Sequence, residues 1–159
     1  MDDWGSELIV GGTTTIIAQN EAGTTNYDIE LNDVDHDFAT IKVTGANVTL
    51  VDANAIVLGA STVTGTYAVT ATAGGDITDS GVLTITGAAT FTARKKKSVY
   101  LDSANTFSNT VTFSSGGTLA NVTISDSNDF DLAVLTLSGN LIAISTGGSI
   151  TDSGALRIS

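Results

Sequence analysis

The chain has 159 residues, 17 of them acidic and 6 basic, for a formal charge of −11, and it contains no cysteine and no proline. That balance excludes a cationic footprint for nucleic acid or an anionic membrane, and the missing thiols exclude a disulfide scaffold and a thiolate metal site. Hydrophobic residues reach 42 % but fall in short runs, far below the ~20 consecutive apolar residues that span a bilayer, so no transmembrane segment is expected.

The start, Met1-Asp2-Asp3-Trp4, lacks the basic segment and apolar stretch of a signal peptide, which points to a mature piece, an excised fragment or a cytoplasmic chain. Residues 1–26 hold two apolar runs, Leu8 to Val10 and Thr15 to Ala18, separated by Gly11-Gly12 and followed by a polar stretch from Asn20 to Asn26. They read as an N-terminal cap, or as a strand-exchange segment that pairs with another molecule. Residues 27–159 read as a repeat domain.

That domain opens on an acidic run in which Asp28, Glu30, Asp33, Asp35 and Asp37 surround His36. Asp33, Asp35 and Asp37 alternate like the start of a calcium loop. An EF-hand, however, needs Gly at its sixth position, where Phe38 stands, and Glu at its twelfth, where Thr44 stands. The three carboxylates are a candidate for a looser calcium site, set against a solvated acidic corner, and no other cofactor is expected. His36 is the only histidine, which removes a multi-histidine zinc site and leaves a single base for nucleophilic catalysis.

An apolar residue followed by Thr or Ser and then Gly recurs as Val43-Thr44-Gly45, Val63-Thr64-Gly65, Ile85-Thr86-Gly87 and Leu137-Ser138-Gly139, with Ser115-Gly116 a looser copy. Units of about 20 residues, made of short apolar runs and polar corners, mark a solenoid in which each coil buries its face only against its neighbours. The runs, such as Val48-Thr49-Leu50, Val111-Thr112-Phe113 and Leu141 to Ile144, are rich in β-branched residues and bounded by Gly, Asn, Asp and Ser, so each predicts a strand. Glycine and asparagine at the corners are expected to supply positive φ. The sequons Asn47-Val48-Thr49 and Asn121-Val122-Thr123 share one repeat position and read as structural before they read as glycan acceptors.

Two further segments interrupt or decorate the ladder. Residues 88–97 read as a spacer loop, and its Arg94, Lys95, Lys96 and Lys97 form a candidate interaction patch for the acidic run of a second copy. Threonine pairs at Thr62/Thr64, Thr84/Thr86, Thr90/Thr92 and Thr110/Thr112 suit an ice-binding face, but their irregular intervals guarantee no common register.

A longer period lies above the coil. Asn47, Asp52, Asn54, Leu58 and Gly65 return, all at one offset, as Asn121, Asp126, Asn128, Leu132 and Gly139. Gly74 to Gly81 returns as Gly147 to Gly154 at an offset one shorter. The expected fold is all-β, a right-handed parallel β-helix of six or seven coils, roughly 30 Å long at ~4.8 Å per coil. Val48, Ile85, Val111, Val122 and Leu137 are expected to point inward. A β-sandwich is the competing architecture, but hairpins need no sequence identity at a fixed period.

The strings Asn121 to Gly139 and Gly147 to Leu156, with the earlier copy through Gly74 to Ala93, resemble the repetitive shafts of giant bacterial surface proteins of the filamentous haemagglutinin type. The resemblance covers about Asp33 to the C-terminus. It implies a right-handed parallel β-helix serving as an exported adhesin shaft, and shaft repeats carry no catalytic motif to transfer. The resulting expectation is a non-enzymatic structural protein, extracellular or on the bacterial cell surface, that associates with itself head to tail into filaments and touches surface glycans. The alternative is a carbohydrate-binding or carbohydrate-processing β-helix, for which the scattered aromatics, Trp4 among them, offer little platform.

Overall fold

The computed structural model describes residues 7–159 and is all-β, with no helix among them. Trp4 and the opening Met1-Asp2-Asp3 lie outside the described residues. In chain order the strands are β1 (Ile9–Ile17), β2 (Ile29–Leu31), β3 (Asp37–Gly45), β4 (Val48–Asp52), β5 (Ile56–Leu58), β6 (Ser61–Val63), β7 (Tyr67–Ala71), β8 (Ile77–Asp79) and β9 (Leu83–Ile85). They continue as β10 (Ala89–Thr92), β11 (Val99–Phe107), β12 (Val111–Ser114), β13 (Val122–Asp126), β14 (Phe130–Leu132), β15 (Leu135–Leu137), β16 (Leu141–Ser145), β17 (Ile150–Asp152) and β18 (Leu156–Ile158).

Every strand-to-strand pairing is parallel, and partners lie about 21 residues apart in a solenoid of about six turns. The offset varies with corner length: Val48 pairs with Tyr67, while Val99 pairs with Val122. Nine strands form one sheet, seven a second and two a third. The three nine-residue strands, β1, β3 and β11, turn a corner without a break; β3 carries β5 on its first half and β6 on its second.

Period-2 alternation fixes the core. Val48, Ile85, Val111, Val122 and Leu137 all point inward with exposures of 1 % or less, each buried side chain of this size contributing about 1.5–3 kcal/mol. Tyr67, Phe91 and Phe113 stack as an aromatic column, with ring centroids 6.0 and 5.9 Å apart. Phe91 corrects the spacer expected over residues 88–97. Ala89–Thr92 is a strand, β10, in register with β7 and β12, because Phe91 fills the core between Val69 and Phe113. Only the turn that follows, through Arg94 to Lys97, connects the coils.

The corner glycines also differ from expectation. Among the described glycines only Gly23 and Gly74 have positive φ. Several others are kept from growing a side chain by the neighbouring coil: a Cβ at Gly139 would sit 2.5 Å from Asn121 Oδ1, and one at Gly81 would sit 2.7 Å from the Ala60 amide nitrogen. Coils stacked at strand spacing leave no room there for a methyl group.

At the N-terminal end the two expected runs form one strand. β1 pairs with β3 through a register shift between Val10 and Thr13, and the turn after it is closed by Asn20, whose side-chain oxygen accepts from the amides of Thr24 and Thr25. The parallel stack therefore already includes residues 9–17.

Candidate functional site

Inward-pointing polar residues hold the corners. Asp52 Oδ2 accepts the Phe38 amide of the preceding coil at 2.7 Å, and its Oδ1 accepts the Asn54 amide at 2.8 Å. Asp126, its equivalent in the long repeat, does the same for Phe107 and Asn128, each at 2.8 Å. Asn105 accepts the Leu83 amide at 2.8 Å and donates to Asp79 Oδ2 at 2.8 Å. Burial pushes the carboxyls of Asp52, Asp79 and Asp126 above the ordinary value of 3.8, outweighing the hydrogen bonds that pull the other way. These groups close the gap where a strand turns a corner and its ladder is interrupted. Their chemistry is structural.

The acidic run is likewise a turn. Asp33 Oδ1 accepts the Asp35 amide at 3.0 Å, and the Asp37 amide donates to the Leu8 carbonyl. His36 is fully buried, its Nδ1 accepts the Leu8 amide at 3.0 Å, and its ring lies against Phe38. The looser calcium site expected of Asp33, Asp35 and Asp37 is not assembled: among the described residues no three His, Cys, Asp or Glu side chains converge to hold a metal ion. The Asp33 carboxylate is engaged by its own turn.

Arg94 to Lys97 form a turn in which the Lys97 amide donates to the Arg94 carbonyl, with Lys96 in the left-handed region at φ 64°. The Lys96 amide bonds onward to the Thr118 carbonyl. The basic patch therefore sits on the flank of the rod, between β10 and β11, and the acidic turn sits between β2 and β3.

The sequon asparagines are ladder residues. Asn47 Oδ1 accepts the Thr66 amide and Asn121 Oδ1 accepts the Asn140 amide, each in the next coil. The threonine pairs do not share one register: Thr62 pairs with Thr84 on one sheet, while on another Thr90 pairs with Thr112 and Thr92 with Ser114, two residues out of step with the pair Thr110/Thr112. Single threonines nevertheless form columns. Thr44, Thr62, Thr84 and Thr106 stack in one column. Thr49, Ala68, Thr90 and Thr112 form a second column, beside Val51, Thr70, Thr92 and Ser114. Corner lengths absorb the irregular spacing, so regular columns come from irregular intervals.

Sequence reasoning missed one surface feature, a shallow groove of about 360 Å³ lined by Ser108, Asn109, Thr110, Asp129, Asp131 and Thr151. Its carboxylates hold the next coil: Asp131 accepts from Ser153 Oγ at 2.6 Å and from Thr151 Oγ1 at 3.2 Å, bonds that keep it below the usual carboxylate range. Phe130 is buried beneath the groove and offers no stacking platform.

A family model described as "Repeats of unknown function (DUF5649)" matches residues 2–44, 45–114 and 119–159. The second and third matches begin at positions 45 and 119, the same separation that relates Asp52 to Asp126. No curated protein and no solved structure matches the chain.

Proposed function

We propose, for a chain that belongs to this repeat family, the role of a non-enzymatic structural rod, a β-solenoid shaft of the bacterial surface or extracellular space whose copies join end to end. The supporting observation is the parallel register that carries one apolar interior from coil to coil: Leu50 pairs with Val69 and Val69 with Phe91, and all three are fully buried. Each coil covers the face of its neighbour, which is how a stack of repeats becomes a rod. The adhesin-like role follows from the resemblance to haemagglutinin-type shafts, and the lysine patch on the flank is then a side-docking surface. Electron microscopy and sedimentation of the purified protein test the reading: rods longer than one molecule support it, and a monomer at high concentration overturns it.

The threonine columns favour a second reading, contact with an uncharged, extended glycan along the flank. Between Thr49 and Ser114 no charged residue stands in the two adjacent columns, although the chain carries −11. Retention on an insoluble neutral glucan, lost on Thr90→Glu, supports this reading; equal retention of the variant overturns it.

A further inference from the structure

Two oppositely charged turns stand on one corner of the solenoid. The acidic turn, residues 32–36, leads from β2 into β3, and the basic turn, residues 93–98, leads from β10 into β11. β2, β4, β7 and β10 are successive strands of one sheet, and β3, β5, β8 and β11 are successive strands of another. Both turns therefore make the same corner, three coil steps apart, which is about 14 Å along the rod at ~4.8 Å per step. The corners between them, residues 53–55 and 72–76, carry small side chains, Ala53, Ala55, Ala73, Gly74 and Gly75 among them. Their one carboxylate, Asp76, accepts the Ser98 amide at 2.8 Å. A second molecule can approach here until it meets the two charged turns.

Each turn is fixed in place, so little freedom is lost when it docks. Thr72 Oγ1 donates to the Val34 carbonyl at 3.4 Å, Asp33 Oδ1 holds the Asp35 amide, and the Asp35 side chain is exposed. On the basic side the Lys96 amide is tied to the Thr118 carbonyl, and Lys96 is the one described non-glycine residue at positive φ, a conformation uncommon for lysine. The stem of Lys95 lies against Gly117 of the next coil, where an added Cβ would come within 3.0 Å of its Cδ. Lys97 and Arg94 lie the other way, against Gly74 of the preceding coil, with Cε and Cδ 3.5 and 3.7 Å from an added Cβ. Glycine at these two positions lets the aliphatic stems lie down and spreads the cations along the corner. The four are most of the six basic residues in the chain, and among the described residues none of them forms an ion pair.

A two-fold axis perpendicular to the rod, placed midway between the two turns, exchanges their positions. It sets the basic turn of each copy against the acidic turn of the other, twice over, in one closed contact. A parallel arrangement shifted by three coils satisfies one such pair per interface and leaves the other turn of each copy open.

We propose that two copies of this chain pair side by side and antiparallel through this corner, with Arg94 to Lys97 of each facing Asp33, Asp35 and Asp37 of the other. The contact lies on the flank and does not depend on the end-to-end reading above. Its partner is a second copy rather than a separate polyanion, because the complementary charge stands on the same corner of this chain and one two-fold satisfies both turns at once. Each copy carries −11, so long-range repulsion opposes pairing at low salt. Pairing is strongest where the screening length falls to ~8 Å, near 0.15 M, and is lost at 1 M, where ~3 Å of screening removes the contact attraction as well.

Sedimentation equilibrium of the full chain at about 0.15 M NaCl reads the pairing, and zero-length carbodiimide coupling of lysine to carboxylate reads which turns meet. The expected result is a dimer whose cross-linked peptides join residues 94–97 to residues 33–37, a bond that the separation of about 14 Å forbids within one copy. Lys95→Glu with Lys96→Glu, and separately Asp35→Lys with Asp37→Lys, are each expected to weaken dimerisation roughly tenfold. All four together keep the net charge of −11 with the signs exchanged, and are expected to restore the dimer. Circular dichroism checks that each variant keeps its β structure, and the cross-links of the unaltered chain decide independently of any variant. A chain that stays monomeric, a dimer indifferent to the lysine reversal, a folded four-fold variant that does not recover, or cross-links that fail to join the two turns overturns the proposal. Trimers and larger species joined through these turns overturn the two-fold.

Discussion

A carboxylate at a corner does what a strand pairing does elsewhere. Both oxygens of Asp126 accept main-chain amides, from Phe107 and Asn128, and Asp126→Ala orphans both. Each buried unsatisfied amide costs about 1–3 kcal/mol, while removing a buried charge returns part of its desolvation, so a net loss of about 2 kcal/mol at pH 7 is expected in urea unfolding. The pH dependence has a definite sign. The folded pKa of Asp126 is raised above its ordinary 3.8, so the contribution is fully present below pH 3.8 and is lost as pH rises through the raised value. Acidifying from pH 7 therefore stabilises the native chain relative to Asp126→Ala and widens the gap between them. A gap that narrows would mean the folded carboxylate sits below its ordinary value. The pairing of Asp52 with Asp126 was legible as an identity at a fixed offset. Their inward direction was not, because an Asp between strands reads equally well as a solvated corner.

At the scale of the element, strands were legible and the reasons for their corners were not. Val48-Thr49-Leu50 and Val111-Thr112-Phe113 announce themselves by β-branching and bounding residues. β10 did not, since Ala89-Thr90-Phe91-Thr92 carries little apolar weight and runs into a basic turn. What makes it a strand is the aromatic column, a contact across coils that no local pattern contains. The glycines have the same origin. A Cβ at Gly75 would fall on the Asn54–Ala55 backbone, whereas Gly116 has nothing within 4 Å. Gly75→Ala is expected to lower stability by about 3 kcal/mol through overpacking, and Gly116→Ala to change it by less than about 0.5 kcal/mol. Thermal unfolding of the two variants side by side checks this. Similar losses would return the corner glycines to a conformational role.

For the whole molecule, identities recurring at a constant long offset revealed a ladder, and the parallel registers realise it. Linear order hides which coil each charged segment occupies: the acidic turn lies between β2 and β3 and the basic turn between β10 and β11. What charge does here is set by the total: 17 acidic against 6 basic residues on a rod roughly 30 Å long. With a screening length of ~10 Å at 0.1 M salt, many like-charge pairs on neighbouring coils still repel one another. Such self-repulsion destabilises the compact state, so raising NaCl from 0.05 to 0.5 M is expected to increase the melting temperature. Relief of about 1 kcal/mol corresponds to a rise of about 2–4 °C for a domain of this size. Following the melt by circular dichroism at low protein concentration separates this effect from assembly. A melting temperature that falls with salt would show that attractive pairs, rather than the net charge, dominate the electrostatics of the rod.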